Sequence, residues 1–245
     1  MREIRLFVDI PLAPNADLPL PRDVAQHALR VLRLKAGDLV TLINGDGRQY
    51  PARLIAADPR AASVHVETAE TPVRESPLRI TLIQALARGE KMDWIIQKAT
   101  ELGTARILPV TSGRSEVRLD GPRSEKRLNH WRAVAIAACE QCGRNVVPEI
   151  SAPESLEACL AAHPQAGAEV RWMLHPGGTA RLRNAGSMAT DVMLAVGPEG
   201  GFGDNDLAAL RQGGFDALAL GPRILRTETA GLAAMAALQA IRGDF

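Results

Sequence analysis

With 245 residues, 46% of them apolar and 23% charged, the chain can bury a substantial core and has the balance of a globular protein. A net charge of +1 excludes a protein that coats nucleic acid by bulk electrostatics. No apolar run approaches the roughly 20 residues of a membrane span. The start, Met1-Arg-Glu-Ile-Arg5, leads into a strand-like Leu6-Phe7-Val8 rather than a signal peptide, so the cytoplasm is the expected compartment.

The first 71 residues read as strand-rich. Asp23 to Leu32 has the pattern of one short helix, closed by Lys35-Ala-Gly-Asp38. Leu39–Ile43 and Tyr50–Ile55 flank Asn44-Gly-Asp-Gly47, a strong hairpin signal, and Ser63–Glu67 alternates as a further strand. A small β-barrel with one helix is expected. Thr71-Pro-Val-Arg-Glu-Ser-Pro77 then marks a linker over 72–78.

From 79 to 245 apolar strands alternate with helical patterns, which predicts an α/β domain: a mainly parallel sheet with helices on both faces. The candidate strands are Ile80–Ala87, Arg106–Val110, Val146–Ile150, Val170–Leu174, Val192–Val196 and Ala217–Leu220. Between the first two, Met92, Ile95, Ile96, Ala99 and Leu102 recur at helical spacing and form a buried stripe. Lys91, Trp94, Lys98 and Glu101 fall on another face, where the Trp suits stacking on a base, packing on a partner subunit, or shielding by its neighbours. Basic residues outnumber acidic ones between Arg79 and Arg132, as on a phosphate-contacting face or a solvated helix surface. Cys139 and Cys142 lie one helical turn apart in an alanine-rich run. With only Cys159 elsewhere, they read as small buried thiols rather than a metal site. The last helix, Thr227 to Ile241, is rich in Ala and carries Gly231, so another backbone can approach it closely.

Two glycine–proline loops follow the last two strands: Val196-Gly-Pro-Glu-Gly-Gly-Phe202 and Leu220-Gly-Pro-Arg-Ile-Leu-Arg-Thr-Glu-Thr-Ala230. Ligands of open α/β sheets bind beyond the carboxyl ends of strands, so the pair frames a small-molecule site or makes two tight βα turns. Neither the dinucleotide glycine pattern nor a P-loop is present. Loops rich in glycine and poor in lysine suit a ligand without phosphates, S-adenosylmethionine among them.

These loops resemble those of the SPOUT methyltransferases, whose C-terminal domain carries a trefoil knot. Three further stretches, Arg88-Gly-Glu-Lys-Met-Asp-Trp-Ile-Ile-Gln-Lys-Ala-Thr-Glu-Leu-Gly103, Ala135-Ile-Ala-Ala-Cys-Glu-Gln-Cys-Gly-Arg-Asn145 and Leu174-His-Pro176, narrow the match. With His27-Ala-Leu-Arg-Val-Leu-Arg33, they make the chain similar to the bacterial small-subunit (16S) ribosomal RNA uridine-N3 methyltransferase family. The resemblance implies a PUA-like RNA-binding domain over 1–71 and a knotted methyltransferase domain over 79–245. It also implies S-adenosylmethionine as cofactor, ribosomal RNA or the assembled small subunit as substrate, and a homodimer, with no metal and no membrane partner.

Carried onto this sequence, cofactor binding falls to Leu174, His175 and Pro176; to Val196, Gly197, Pro198, Glu199, Gly200 and Gly201; and to Leu220, Gly221, Ile224, Leu225 and Thr229. Arg226, inside the second loop, is the candidate for polarising the uracil, because arginine offers charged donors to the O2 and O4 that flank a deprotonated N3. Glu199 and Glu228 are candidates for a base or an arginine partner, and Glu228 equally suits the N-terminal turn of a helix. Arg114 joins the catalytic set, while Arg30, Arg33, Arg88, Lys91, Lys98 and Arg144 are expected on RNA. Before Arg114 the family pattern has a glutamate where this chain has Gly113; its role is absent or moved to Glu116. Competing readings are a SPOUT enzyme of another RNA, such as a tRNA ribose methyltransferase, a non-catalytic RNA-binding assembly protein, and an α/β enzyme of another nucleotide.

Overall fold

The computed structural model describes residues 3–58, 60–115, 121–182 and 190–245, and its chain divides into two compact units. The first takes Met1–Glu75 together with Cys139–Val147. Its strands are β1 (Arg5–Phe7), β2 (Ala16–Pro19), β3 (Leu39–Ile43), β4 (Tyr50–Ala56) and β5 (Ser63–Val66), in the order β1-β3-β4-β5-β2. Only the β1–β3 pair is parallel. The expected hairpin joins β3 to β4, and its Gly45 and Gly47 take φ of 87° and 89°, the left-handed region that glycine enters without steric cost. Leu6, Leu42, Leu54, Val64 and Val66 from the strands meet Ala25 and Ala28 from the helical segment in one core.

Two features of this unit depart from the sequence pattern. Strand β2 was not expected, because prolines interrupt its stretch. It lies at the edge of the sheet, where Pro19 deprives no inner neighbour of a donor. The helix expected over Asp23–Leu32 begins as α1 (Arg22–Gln26) but continues as a π-helical turn, His27–Val31, with Leu32 N–H donating to the His27 carbonyl at 3.1 Å. Arg30 lies in that turn and Arg33 follows it at φ 58°; both are exposed.

The segment Cys139–Val147 is stitched into unit 1 by polar contacts. The Arg5 guanidinium donates to the Gln49 side chain (3.1 Å), the Arg144 carbonyl (3.4 Å) and the Asn145 side chain. Phe7 N–H donates to Glu140 at 2.8 Å. Burial raises the Glu140 carboxyl above its ordinary value, and that N–H bond offsets only part of the rise. Arg144, read as an RNA contact, is buried, and its guanidinium pairs with Glu75 at 2.6 Å. Its charge is therefore spent inside unit 1 and not on its surface. Arg144→Ala is expected to lower stability by roughly 2 kcal/mol, read as a shift in the urea unfolding midpoint.

Unit 2 takes Ser76–Ala138 and Pro148–Phe245. Its seven strands are β6 (Arg79–Ala85), β7 (Arg106–Thr111), β8 (Glu149–Ile150), β9 (Glu154–Ser155), β10 (Val170–Leu174), β11 (Asp191–Val196) and β12 (Asp216–Leu218), all parallel. The order is β12-β10-β11-β6-β7-β8, with β9 continuing the edge beside β7. The strand expected over Val146–Ile150 shrinks to its last two residues, because Val146 and Val147 belong to unit 1.

The interleaved helices are α2 (Lys91–Glu101), α3 (Gly121–Cys142), α4 (Leu156–Ala162), α5 (Asp204–Gln212) and α6 (Thr227–Arg242). Alternation along the strands sorts them onto two faces. Ile83, Ala85, Met193 and Ala195 point to the core that holds Leu156 and Cys159 of α4 and Leu210 of α5. Leu82 and Val196 point the other way, to α6, where a Cβ on Gly231 would meet Val196 at 3.2 Å. Helix α2 buries Met92, Ile95, Ile96 and Ala99 as its stripe requires, while Leu102 caps its end and is only half-buried. Trp94 is 53% exposed, with the Lys98 ammonium 5.0 Å from its ring.

Candidate active site

Parallel strands deliver their following loops to one edge of the sheet, and three neighbours, β12, β10 and β11, deliver the loops singled out above. They enclose a cavity of about 610 Å³ lined by Leu174, His175 and Pro176, by Val196 through Phe202, and by Ile224 through Thr227 and Ala230. Lys91, at the start of α2, and Arg114, after β7, complete the wall. Leu220 and Gly221 line a smaller adjoining cavity of about 80 Å³ together with Arg223. Thr229 is exposed and lines neither.

The first loop folds back on itself. Gly201 N–H donates to the Pro198 carbonyl at 2.8 Å, and a Cβ on Gly197 would stand 3.0 Å from the Phe202 nitrogen. Glycine at 197 is therefore a packing requirement as well as an opening for a ligand.

Charge is concentrated at the rim. The Glu199 carboxylate accepts from the Lys91 ammonium at 2.8 Å and from the Arg88 N–H at 3.1 Å. Burial pushes its pKa up, but the hydrogen bonds from Lys91 and from backbone N–H groups outweigh that and hold it below the usual carboxylate range. Lys91 is correspondingly raised, chiefly by the same Glu199 bond. The Glu228 Oε2 lies 3.7 Å from Lys91 Nζ, is buried, and accepts no hydrogen bond. Its carboxylate occupies the first turn of α6, where the helix dipole favours it. Arg226 is the residue before that helix and is exposed at the cavity wall.

Of the residues expected on RNA, Lys91 faces the cavity, whereas Lys98 pairs with Glu101 at 2.8 Å and lines no part of it. Arg88 reaches the site through its backbone N–H. Arg30 and Arg33 belong to unit 1.

Three cavity-lining residues escaped the sequence reading: Phe202, Thr227 and Ala230. So did Asp206, buried in α5, whose carboxylate accepts from Gly203 N–H at 2.8 Å and from Gly113 N–H at 3.1 Å. The spacing Gly203–Asp206 is that of a capping box and signals the first bond; nothing local signals the second. Arg114 in turn donates to the Gly200 carbonyl at 3.1 Å. Where the family pattern has a glutamate, Gly113 thus offers its N–H to a carboxylate from elsewhere. A Cβ there would sit 3.5 Å from Asp206 Oδ2. Glu116 lies outside the described residues.

Burial pushes the thiols of Cys139 and Cys159 up to about 12, so neither is a nucleophile at neutral pH. Among the described residues no group of three or more His, Cys, Asp or Glu side chains converges as metal ligands, and no helix is long and apolar enough to cross a membrane.

The comparisons with known proteins cover the whole chain. The model of an RNA methyltransferase domain matches residues 74–239, and that of an RNA methyltransferase PUA domain matches 20–67. The ribosomal RNA small subunit methyltransferase E of Buchnera aphidicola (subsp. Schizaphis graminum) is 32% identical, over 98% of this chain and 97% of its own. A Legionella pneumophila protein solved in complex with the bound cofactor SAM is 37% identical, with a TM-score of 0.94 and both chains fully covered. The ribosomal RNA small subunit methyltransferase E of Neisseria gonorrhoeae, solved bound to S-adenosyl methionine, is 35% identical with a TM-score of 0.92, again over both full chains. Sequence and backbone agree from end to end, and the chain belongs to the ribosomal RNA small subunit methyltransferase E family of RNA methyltransferases.

Proposed function

We propose that this chain transfers a methyl group from S-adenosylmethionine to N3 of a uridine in small-subunit ribosomal RNA. The observation that carries the reading is the convergence of the three strand-end loops on one cavity. Its volume of about 610 Å³ is in the range of a cofactor site. The cavity fits the cofactor in kind: backbone groups of glycine-rich loops for the adenosine, apolar Leu174, Val196 and Leu225, and no lysine-rich phosphate cradle. When bound, S-adenosylmethionine supplies an electrophilic methyl group on a sulfonium.

Uracil N3 becomes a nucleophile by losing its proton. Glu199 is poorly suited to take it, since its carboxylate is occupied by Lys91 and the Arg88 N–H. Glu228 is the remaining carboxylate: its Oε2 accepts no hydrogen bond and lies 3.7 Å from Lys91 Nζ, but it is buried and lines neither cavity, so in this reading its side chain turns toward the site to accept the N3 proton. The Arg226 guanidinium donates to the oxygen beside N3, stabilising the anion as it forms. Holding the nucleophile in line with the methyl group supplies much of the rest, since orientation alone is worth roughly 7–11 kcal/mol.

In the same reading the C-terminal strands carry a trefoil knot. The chain passes from β10 to its neighbour β11 and then returns to the far side of β10 as β12, and a Cβ on Gly178 would stand 2.5 Å from the Ala217 carbonyl oxygen. Residues 1–71 act as a PUA-like RNA-binding domain, 72–78 as a linker and 79–245 as the methyltransferase domain. A cytoplasmic homodimer, implied by the family resemblance, completes the proposal; Trp94 and Phe245, 53% and 67% exposed in unit 2, are apolar side chains such a partner would cover.

Purified protein, methyl-labelled S-adenosylmethionine and small subunits lacking the modification, followed by digestion to nucleosides, test the reaction. Label in N3-methyluridine is expected; label in another nucleoside moves the specificity, and absence of both label and cofactor binding refutes the enzyme. Replacing Arg30 and Arg33 by alanine is expected to weaken RNA binding and to reduce the salt slope by about 1 per lost phosphate contact. An unchanged slope, from binding titrations at several salt concentrations, places the RNA elsewhere.

A further inference from the structure

Beneath the cavity a buried hydrogen-bond relay ties its two glycine–proline loops to the sheet. Gln84, next to the carboxyl end of β6 and fully buried, donates from Nε2 to the Ala85 carbonyl at 2.9 Å and to Thr227 Oγ1 at 3.1 Å. Thr227 Oγ1 donates in turn to the Gly197 carbonyl at 2.6 Å. The directions are forced. A carbonyl only accepts, so the atom of Gln84 facing Ala85 is its NH2. The single hydroxyl proton of Thr227 goes to Gly197, leaving a lone pair for Gln84. Thr227 is 7% exposed and Gly197 is buried, so water does not stand in for either bond.

The two ends of the relay belong to different loops. Gly197 opens the loop after β11; Thr227 closes the loop after β12 and starts α6. Both line the cavity, and no strand pairing joins their parent strands, which are separated by β10. We propose that Thr227, backed by Gln84, is a positioning residue that sets the separation of the two loops and thereby the affinity of the cavity for its cofactor. The inference rests on the cofactor reading of that cavity. It assigns Thr227 to binding geometry and leaves the methyl-transfer step to Arg226 and Glu228. Gln84 Oε1 is left buried without a partner, so the orientation of the amide serves the relay at the expense of its own acceptor.

The test compares Thr227→Val, Thr227→Ser and Gln84→Met with the parent protein. Without ligand, amide hydrogen exchange of the 197–202 loop is expected to rise in Thr227→Val while protection of β6 and β11 stays at the parental level. Gln84→Met, which keeps the Thr227–Gly197 bond, should show a smaller rise. With S-adenosylmethionine, calorimetry should show Kd roughly tenfold weaker in Thr227→Val. KM for the cofactor should rise in parallel and kcat should change by no more than about twofold. Thr227→Ser retains the hydroxyl and should restore both readouts. Parental loop exchange in Thr227→Val, a fall in kcat at unchanged KM, or failure of Ser to restore would each overturn the relay. A parent that binds no S-adenosylmethionine sinks the methyltransferase reading, while loop exchange in the Val variant still decides for or against the relay.

Discussion

Arg226→Ala is expected to bind S-adenosylmethionine as the parent does and to lose roughly 100- to 1,000-fold in kcat, the usual cost of removing one charged donor at a developing anion. The side chain is exposed at the cavity wall and sits at the residue before α6, so its removal leaves no hole in the core and takes away no helix cap; the Arg226 side chain makes no capping bond. Calorimetry for the cofactor and single-turnover methylation separate the two effects. Arg226→Lys tests the chemistry further: a point charge without the planar fork should recover only part of the rate. Turnover at the parental level in the alanine variant removes Arg226 from the mechanism.

Gly197→Val is expected to abolish cofactor binding and methyl transfer together. A Cβ at this position would press on the Phe202 nitrogen at 3.0 Å and on Gly201 at 3.2 and 3.3 Å, all of them backbone, so no rotamer relieves the contact. The loop backbone must give by a few tenths of an ångström, and this displaces the Gly197 carbonyl that accepts from Thr227. A loss of roughly a hundredfold or more in cofactor affinity follows, about 3 kcal/mol. Thermal unfolding is the control, because a Tm near that of the parent confines the damage to the loop. Undiminished calorimetric binding would show that this loop does not hold the cofactor.

The parallel sheet was legible because its strands are short apolar runs separated by helical patterns, and the hairpin of unit 1 because Asn44-Gly-Asp-Gly47 admits few other conformations. Prolines concealed β2, and no local pattern distinguishes the π-helical turn at His27–Val31 from an α-helix. The loops enclosing the cavity were legible as glycine–proline punctuation at strand ends. Side chains that act at long sequence separation were not. Arg144 sits in a family-like motif and reads as a surface cation, yet its partner Glu75 is 69 residues away. Asp206 meets Gly113 across 93 residues, and Thr227 reads as a plain helix start until Gln84, 143 residues earlier, is brought beneath it. Binary patterning locates the elements, but it carries no information about which polar groups will satisfy one another once they are packed.

The assignment of Cys139–Val147 to unit 1 bears on how the chain is made. A nascent N-terminal segment ending at Glu75 has all five strands of its sheet but lacks Glu140 for the Phe7 N–H and Asn145 for the Arg5 guanidinium. Those partners emerge only after the first helices of unit 2 have been translated. At roughly 5–20 residues per second the interval from Glu75 to Val147 is about 4–14 s. Completion of the N-terminal fold is thus timed by synthesis of the second half: the first half alone keeps Glu3 and Gln49 for Arg5 but lacks Asn145, and the second half alone carries Arg144 without Glu75.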